Sequence, residues 1–129
     1  MSRNAHRSNL LTGFEHAFAG IWHVVRTQRN ARIHLCVTML VIVGGAWLGL
    51  GATEWAILAL TIGMVLAAEA FNTAVENVVD LVTLEDHPLA GVAKDAGAAA
   101  VLLTAIVAVV VGLLILGIPA WHLLSAQLR

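Results

Sequence analysis

The chain has 129 residues, of which 60% are hydrophobic before its 11 glycines are counted and only 12% are charged, whereas soluble domains run at about 45–50% apolar with glycine included and about 25% charged. With a mean hydropathy of +0.88, the chain has too little polar surface to wet a compact particle, so the composition selects a membrane protein. A formal net charge of −1 offers no basic field for nucleic acid, and the single cysteine, Cys36, excludes an intrachain disulfide framework.

Met1 to Thr12 carries Arg3, His6 and Arg7 with no continuous apolar run behind them, so the N-terminus reads as working protein and not as a cleaved signal. Leu10, Leu11, Phe14, Phe18, Ile21, Trp22 and Val25 recur at helical spacing, with Asn9, Thr12, Glu15, His16, His23 and Arg26 opposite them. This predicts an amphipathic helix from Leu10 onward, within a cytoplasmic or interfacial segment of residues 1–29, too polar to span and carrying a tryptophan suited to headgroup depth. A soluble amphipathic helix is the plainer alternative.

Three spans are expected after it. Residues 33–50 are apolar apart from His34 and Thr38 and reach about 27 Å as a helix. Residues 55–82 begin apolar and turn polar; at about 42 Å they outrun a hydrocarbon core of about 30 Å, so their far end should leave the lipid. Residues 96–120 hold Thr104 and Pro119, with Trp121 and His122 after them as interfacial residues. Gly49, Gly51 and Thr53 punctuate the first connection, and His87, Pro88 and Gly91 mark the second, over residues 83–94, where a helix is hard to continue. The fold class is therefore all-α. Arg26, Arg29 and Arg32 precede the first span, residues 51–54 hold no Lys or Arg, and Lys94 lies in the second connection; the positive-inside rule then puts the N-terminus and the polar half of the second span in the cytoplasm, and the C-terminus with Arg129 outside.

Glu69, Asn72, Glu76 and Asp80 are spaced 3, 4 and 4 apart, which places them within an arc of about 80° on one helix face. Carboxylates in or near a membrane helix cost a few kcal/mol each on insertion scales and need a cavity, a partner or a metal. Polar packing between helices is the plain reading, but three acids in register favour chemistry. Glu85, Asp86 and His87 lie in the connection, with Lys94 and Asp95 after it. Clustered carboxylates suit Mg²⁺ shared with phosphate oxygens, and a lysine near a helix start suits phosphate. No Walker A run or dinucleotide glycine fingerprint is present, so a nucleotide has to be held by these side chains and a metal.

Residues 69–80, through Glu69, Asn72, Thr73, Ala74, Val75, Glu76, Val79 and Asp80, resemble the E-x-x-N-[ST]-A-[IV]-E-x-x-[VI]-D signature of the small prokaryotic diacylglycerol kinase family. Ala93, Lys94 and Asp95 resemble its A-K-D element. The likeness covers nearly the whole chain. Residues 29–34 (Arg29, Asn30, Ala31, Arg32, Ile33, His34) and 87–90 (His87, Pro88, Leu89, Ala90) look more like the undecaprenol kinase branch than the branch acting on diacylglycerol. The resemblance implies an ATP- and Mg²⁺-dependent lipid kinase in the plasma or inner membrane, a homotrimer with composite sites, phosphorylating a lipid alcohol. It implies Glu69 as general base, Asn72 as its orienting partner and Glu76 as the Mg²⁺ ligand. It puts Glu85, Asp86 and His87 on the nucleoside, and Lys94 and Asp95 on the phosphates; Asp80 either joins them or anchors the connection.

Two positions depart from the family pattern. Gln28 stands where a second metal-binding glutamate is usual, and His16 where a tyrosine near the nucleotide is common; a neutral amide is the weaker ligand. Of the other features, the Gly45–Gly49 pair reads as close helix packing, Cys36 as a small packing residue, and the six histidines, lacking a shared ligand spacing, as neither haem nor zinc ligands. Besides undecaprenol, diacylglycerol is the alternative acceptor. Readings from other classes are a small proton-coupled transporter with Glu69 as carrier and a structural or pore-forming membrane protein.

Overall fold

A computed structural model of the chain describes residues 10–128; the readings of residues 1–9 and of Arg129 lie outside them. Among the described residues five α-helices run in order: α1 (Leu10–Thr27), α2 (Arg29–Leu48), α3 (Ala52–Val82), α4 (Pro88–Gly112) and α5 (Ile118–Gln127), with a π-helical turn at Leu113–Gly117 between the last two. No strand occurs among the described residues. Three stretches are long and apolar enough to cross a membrane: Arg29–Leu48, Ala52–Val82 and Pro88–Ala126. The chain is therefore an all-α, multi-pass membrane protein.

α1 buries none of its residues. Its apolar stripe is uncovered by the rest of the chain, Trp22 being 65% exposed, as a helix that rests its apolar face in lipid presents it. A single extended residue, Gln28, joins α1 to α2, and its N–H closes on Val24 O at 2.8 Å.

α2 ends in a Schellman motif. Gly49 takes φ +68°, a conformation glycine adopts without steric cost, and Gly49 N–H and Leu50 N–H bond back to Ala46 O and Gly45 O. Of the expected Gly45–Gly49 packing pair, only Gly45 packs: a Cβ there would lie 3.0 Å from both Leu50 Cδ1 and Trp55 Cη2. Gly49 serves the chain reversal instead. Glu54 then caps the start of α3, its Oε2 accepting from Gly51 N–H at 2.6 Å.

The boundaries differ from those read in the sequence. The first span begins at Arg29 and stops at Leu48, against the expected 33–50, because helical hydrogen bonding continues through the charged turn ahead of the apolar run and the glycine cap ends it early. The second starts at Ala52, not residue 55, and ends at Val82 as expected. The third starts at Pro88, eight residues before 96, and runs to Gln127, past 120. Pro88 does not break a helix here; it opens one, at a position where its missing N–H costs nothing and its fixed φ is already helical. His87 caps it through Nδ1, which accepts from Leu89 N–H at 3.2 Å, so the connection shrinks from residues 83–94 to 83–87. Near the far end, Pro119 removes the donor that Ile115 O would use and crowds that carbonyl, and the helix passes the defect by widening into the π turn.

α3 and α4 form the most extensive helix pair, while α1 touches both α2 and α3. The buried apolar residues are few: Ala31, Leu58, Val65 and Val101. The largest fully buried side chains are Glu69 and Thr73. The apolar side chains face outward and the polar ones lie between helices, which fits lipid as the solvent.

Candidate functional site

α3 has 31 residues, and about 20 of them exhaust a core of about 30 Å. Counted from its start, Glu69 and Asn72 fall at the far hydrocarbon boundary, and Glu76 and Asp80 beyond it. The acidic stripe follows that gradient: Glu69 is 2% exposed and Asn72 8%, Glu76 is half-buried, and Asp80 is exposed. Thr73, also buried, donates its hydroxyl to Glu69 O at 2.9 Å, which spends that donor on the backbone and leaves the carboxylate to others.

Three elements close around the buried part. From α2, His34 Nε2 comes within 3.3 Å of Glu69 Oε1. The approach is close but lacks hydrogen-bond alignment, so Oε1 is buried without a hydrogen-bond partner. From the joint between α1 and α2, Gln28 Nε2 donates to Glu76 Oε2 at 3.3 Å. Asn72 Nδ2 donates to the other oxygen, Glu76 Oε1, at 2.8 Å. From α4, Gly97 presses against Asn72, whose Oδ1 a Cβ at that position would strike. That Oδ1 is itself buried and unpartnered.

The second group lies around the connection after α3. Lys94 Nζ pairs with Asp80 Oδ1 at 2.6 Å, tying α4 to α3 across the loop, as an anchoring residue does. Thr83 Oγ1 accepts from Glu85 N–H at 3.1 Å, a local turn that shapes the loop. Between them opens a cleft of about 490 Å³, whose lining includes Asp80, Thr83, Glu85, Asp86, His87 and Lys94; pockets for small molecules and cofactors span about 300–1,000 Å³. The structure thus assembles Glu69, Asn72, Glu76 and Gln28 at one locus and Asp80, Glu85, Asp86, His87 and Lys94 at the next. Asp95 stays exposed on α4 and does not line the cleft.

Among the described residues no cluster of three or more His, Cys, Asp or Glu side chains is arranged to hold a metal ion. What the chain offers is one carboxylate, Glu76, with the Gln28 amide against it; turning that amide over presents its oxygen instead of its nitrogen. Such a set fits a hard cation that keeps most of its shell on water and phosphate oxygens, and does not fit a four-ligand zinc site.

Two residues at the locus were not singled out as site residues from the sequence. His34 was visible as a polar interruption in an apolar span, but its meeting with Glu69 depends on how α2 and α3 pack. Gly97 sits among alanines and carries no local signal. A third feature is an apolar groove of about 400 Å³ between α2, α3 and α4, lined by Ile33, Val37, Leu58, Val65 and Val109 among others, with His34 also in its wall.

Residues 15–116 match the sequence profile of a family described as prokaryotic diacylglycerol kinase. Undecaprenol kinase of Bacillus subtilis is 42% identical over 118 residues, covering 89% of this chain and 96% of that protein. Diacylglycerol kinase of Synechocystis sp. is 49% identical over 105 residues, 81% of this chain and 60% of that protein. Diacylglycerol kinase of Escherichia coli K12 is 42% identical over 72 residues, 56% of this chain and 59% of that protein. The chain thus spans nearly the full length of the undecaprenol kinase and about three fifths of the two diacylglycerol kinases.

Proposed function

Because the chain belongs to the prokaryotic diacylglycerol kinase family and is a membrane lipid kinase transferring phosphate from ATP to an alcohol, we propose that its acceptor is a long polyprenol, undecaprenol ahead of diacylglycerol, and that residues 1–129 work as one catalytic domain. The transporter and pore-forming readings give way to that family membership. The observation that carries the proposal is the burial of Glu69 against His34, a residue that itself lines an apolar groove, within two helical turns of the Asn72, Glu76 and Gln28 network.

In this reading Glu69 takes the proton of the acceptor's primary hydroxyl while the hydroxyl oxygen attacks the γ-phosphorus. The bond from that phosphorus to the β,γ-bridging oxygen breaks, and ADP leaves. Asn72 orients the Glu76 carboxylate through its bond to Oε1, and not Glu69 directly as the resemblance implies. Glu76, with Gln28 beside it, would hold Mg²⁺, which would supply charge neutralisation to the phosphates of the donor. Glu85, Asp86 and His87 receive the nucleoside in the cleft they line with Lys94. Lys94 serves the phosphates as a point charge; Asp95, exposed outside the cleft, reaches their network only from its edge.

Three features support the polyprenol. The undecaprenol kinase relative is matched over 96% of its length, residues 29–34 and 87–90 resemble that branch, and the groove that His34 lines is apolar along α2, α3 and α4. The same reading makes the protein a homotrimer with composite sites: within one chain only 11%, 28% and 6% of the three span windows are buried, leaving broad helix faces for neighbours and lipid. Arg26, Arg29 and Arg32 around the start of α2 and no Lys or Arg in the 49–51 connection support a cytoplasmic N-terminus and active site in the plasma or inner membrane.

The test is an assay of purified protein with labelled ATP against undecaprenol, diacylglycerol and other lipid alcohols at matched mole fraction in one bilayer. We expect the higher kcat/KM for the polyprenol, since discrimination is a ratio of transition-state binding. A preference for diacylglycerol overturns the acceptor and leaves the lipid kinase standing.

Gln28→Glu tests the metal. It sets two carboxylates against each other, so the metal-free protein should melt lower, while Mg²⁺ regains a charged oxygen ligand and its activation midpoint should fall to lower concentration. An unmoved midpoint removes Gln28 from the surroundings of the metal.

A further inference from the structure

His34 is a costly residue to keep inside a span, and a membrane helix retains such a group only where it finds a polar partner. Its partner is the most buried acid of the chain: Nε2 lies 3.3 Å from Glu69 Oε1, with the two side chains 22% and 2% exposed. The donors nearest Glu69 on its own helix are committed elsewhere, Thr73 to Glu69 O and Asn72 to Glu76 Oε1. Glu69 Oε1 is therefore left buried without a hydrogen bond, facing an imidazole that needs only a small turn to supply one. The same imidazole forms part of the apolar groove between α2, α3 and α4, so it stands between that groove and the carboxylate.

Resting on the reading of Glu69 as base, we propose that His34 is its positioning residue: its Nε2–H holds one oxygen of the carboxylate and leaves the other to receive the proton of a hydroxyl arriving along the groove. His34 neither gains nor loses a proton in this step; the hydroxyl proton ends on Glu69. The role requires a donor on α2 at the place of Nε2, not a ring. A merely structural histidine requires the opposite, a body of the right volume with or without a donor.

Three variants and one control separate these roles. His34→Gln carries an amide N–H near the position of Nε2 without a ring, His34→Phe carries a ring without a donor, and His34→Ala carries neither. A reacting group displaced by about 1 Å can cost about 10²-fold in rate, so His34→Ala and His34→Phe should lose at least about tenfold in kcat with the KM for ATP unchanged. His34→Gln should recover most of kcat. All three are compared at equal protein recovered in bilayers, with nucleotide binding confirming an intact site. Activity retained by His34→Phe and lost by His34→Gln overturns the proposal, as does wild-type kcat in His34→Ala. Glu69→Gln is the control: if it is inactive while His34→Ala is fully active, only the positioning role fails, whereas an active Glu69→Gln removes the base and the proposal with it.

Discussion

Glu69→Gln should lower phosphoryl transfer by about 10²–10⁴-fold, the usual contribution of a positioned proton acceptor, while the protein still inserts, assembles and binds nucleotide. The amide has the shape of the carboxylate but no basic oxygen, and at 2% exposure there is no room for solvent to stand in for the lost base. Stability should not suffer. Removing an ionisable group from the boundary of the hydrocarbon relieves a desolvation cost, so the melting temperature should hold or rise. The measurement is turnover of labelled ATP with a lipid alcohol, alongside a thermal melt of the same sample. Activity within a few fold of wild type would show that another group accepts the proton.

Gly97→Ala should be the most damaging change of a residue that touches no substrate. The added Cβ strikes Asn72 Oδ1, and Asn72 has to rotate away, which breaks its 2.8 Å bond to Glu76 Oε1. Overpacking of this kind costs about 1–3 kcal/mol, and here the strain falls on the residue bonded to Glu76. We expect a lower melting temperature and a loss of activity together. Gly13→Ala, whose Cβ meets open space, should change neither. If Gly97→Ala melts lower but keeps full turnover, Asn72 packs α3 against α4 and orients nothing.

The contrast between those two glycines shows what could be read before the structure. Nothing local separates Gly97 from Ala98, Ala99 and Ala100; its meaning comes from the close approach of α4 to α3, a relation between residues 25 positions apart. His34 and Glu69 are likewise joined by helix packing and not by any motif. The acidic stripe was legible because the four side chains share one helix, where spacing alone fixes the face. Gln28 could be set beside Glu76 through family resemblance, and the 3.3 Å bond agrees with that placement. Pro88 was misread as a breaker because its effect depends on position: the same missing N–H that ends a helix in its interior is harmless at its first turn. The span limits erred for a related reason, since an apolar run marks where the lipid is and hydrogen bonding marks where the helix is.

The one-residue joint between α1 and α2 leaves almost no slack, because a single residue reaches at most about 3.6 Å. Gln28 is that joint, and its side chain is also the one that meets Glu76. The depth and tilt of α1 among the headgroups are thus transmitted, as by a short lever, to the atoms beside the Glu76 carboxylate. Whatever lifts α1 relative to α2 should therefore draw Gln28 away from Glu76 and lengthen the 3.3 Å bond between them.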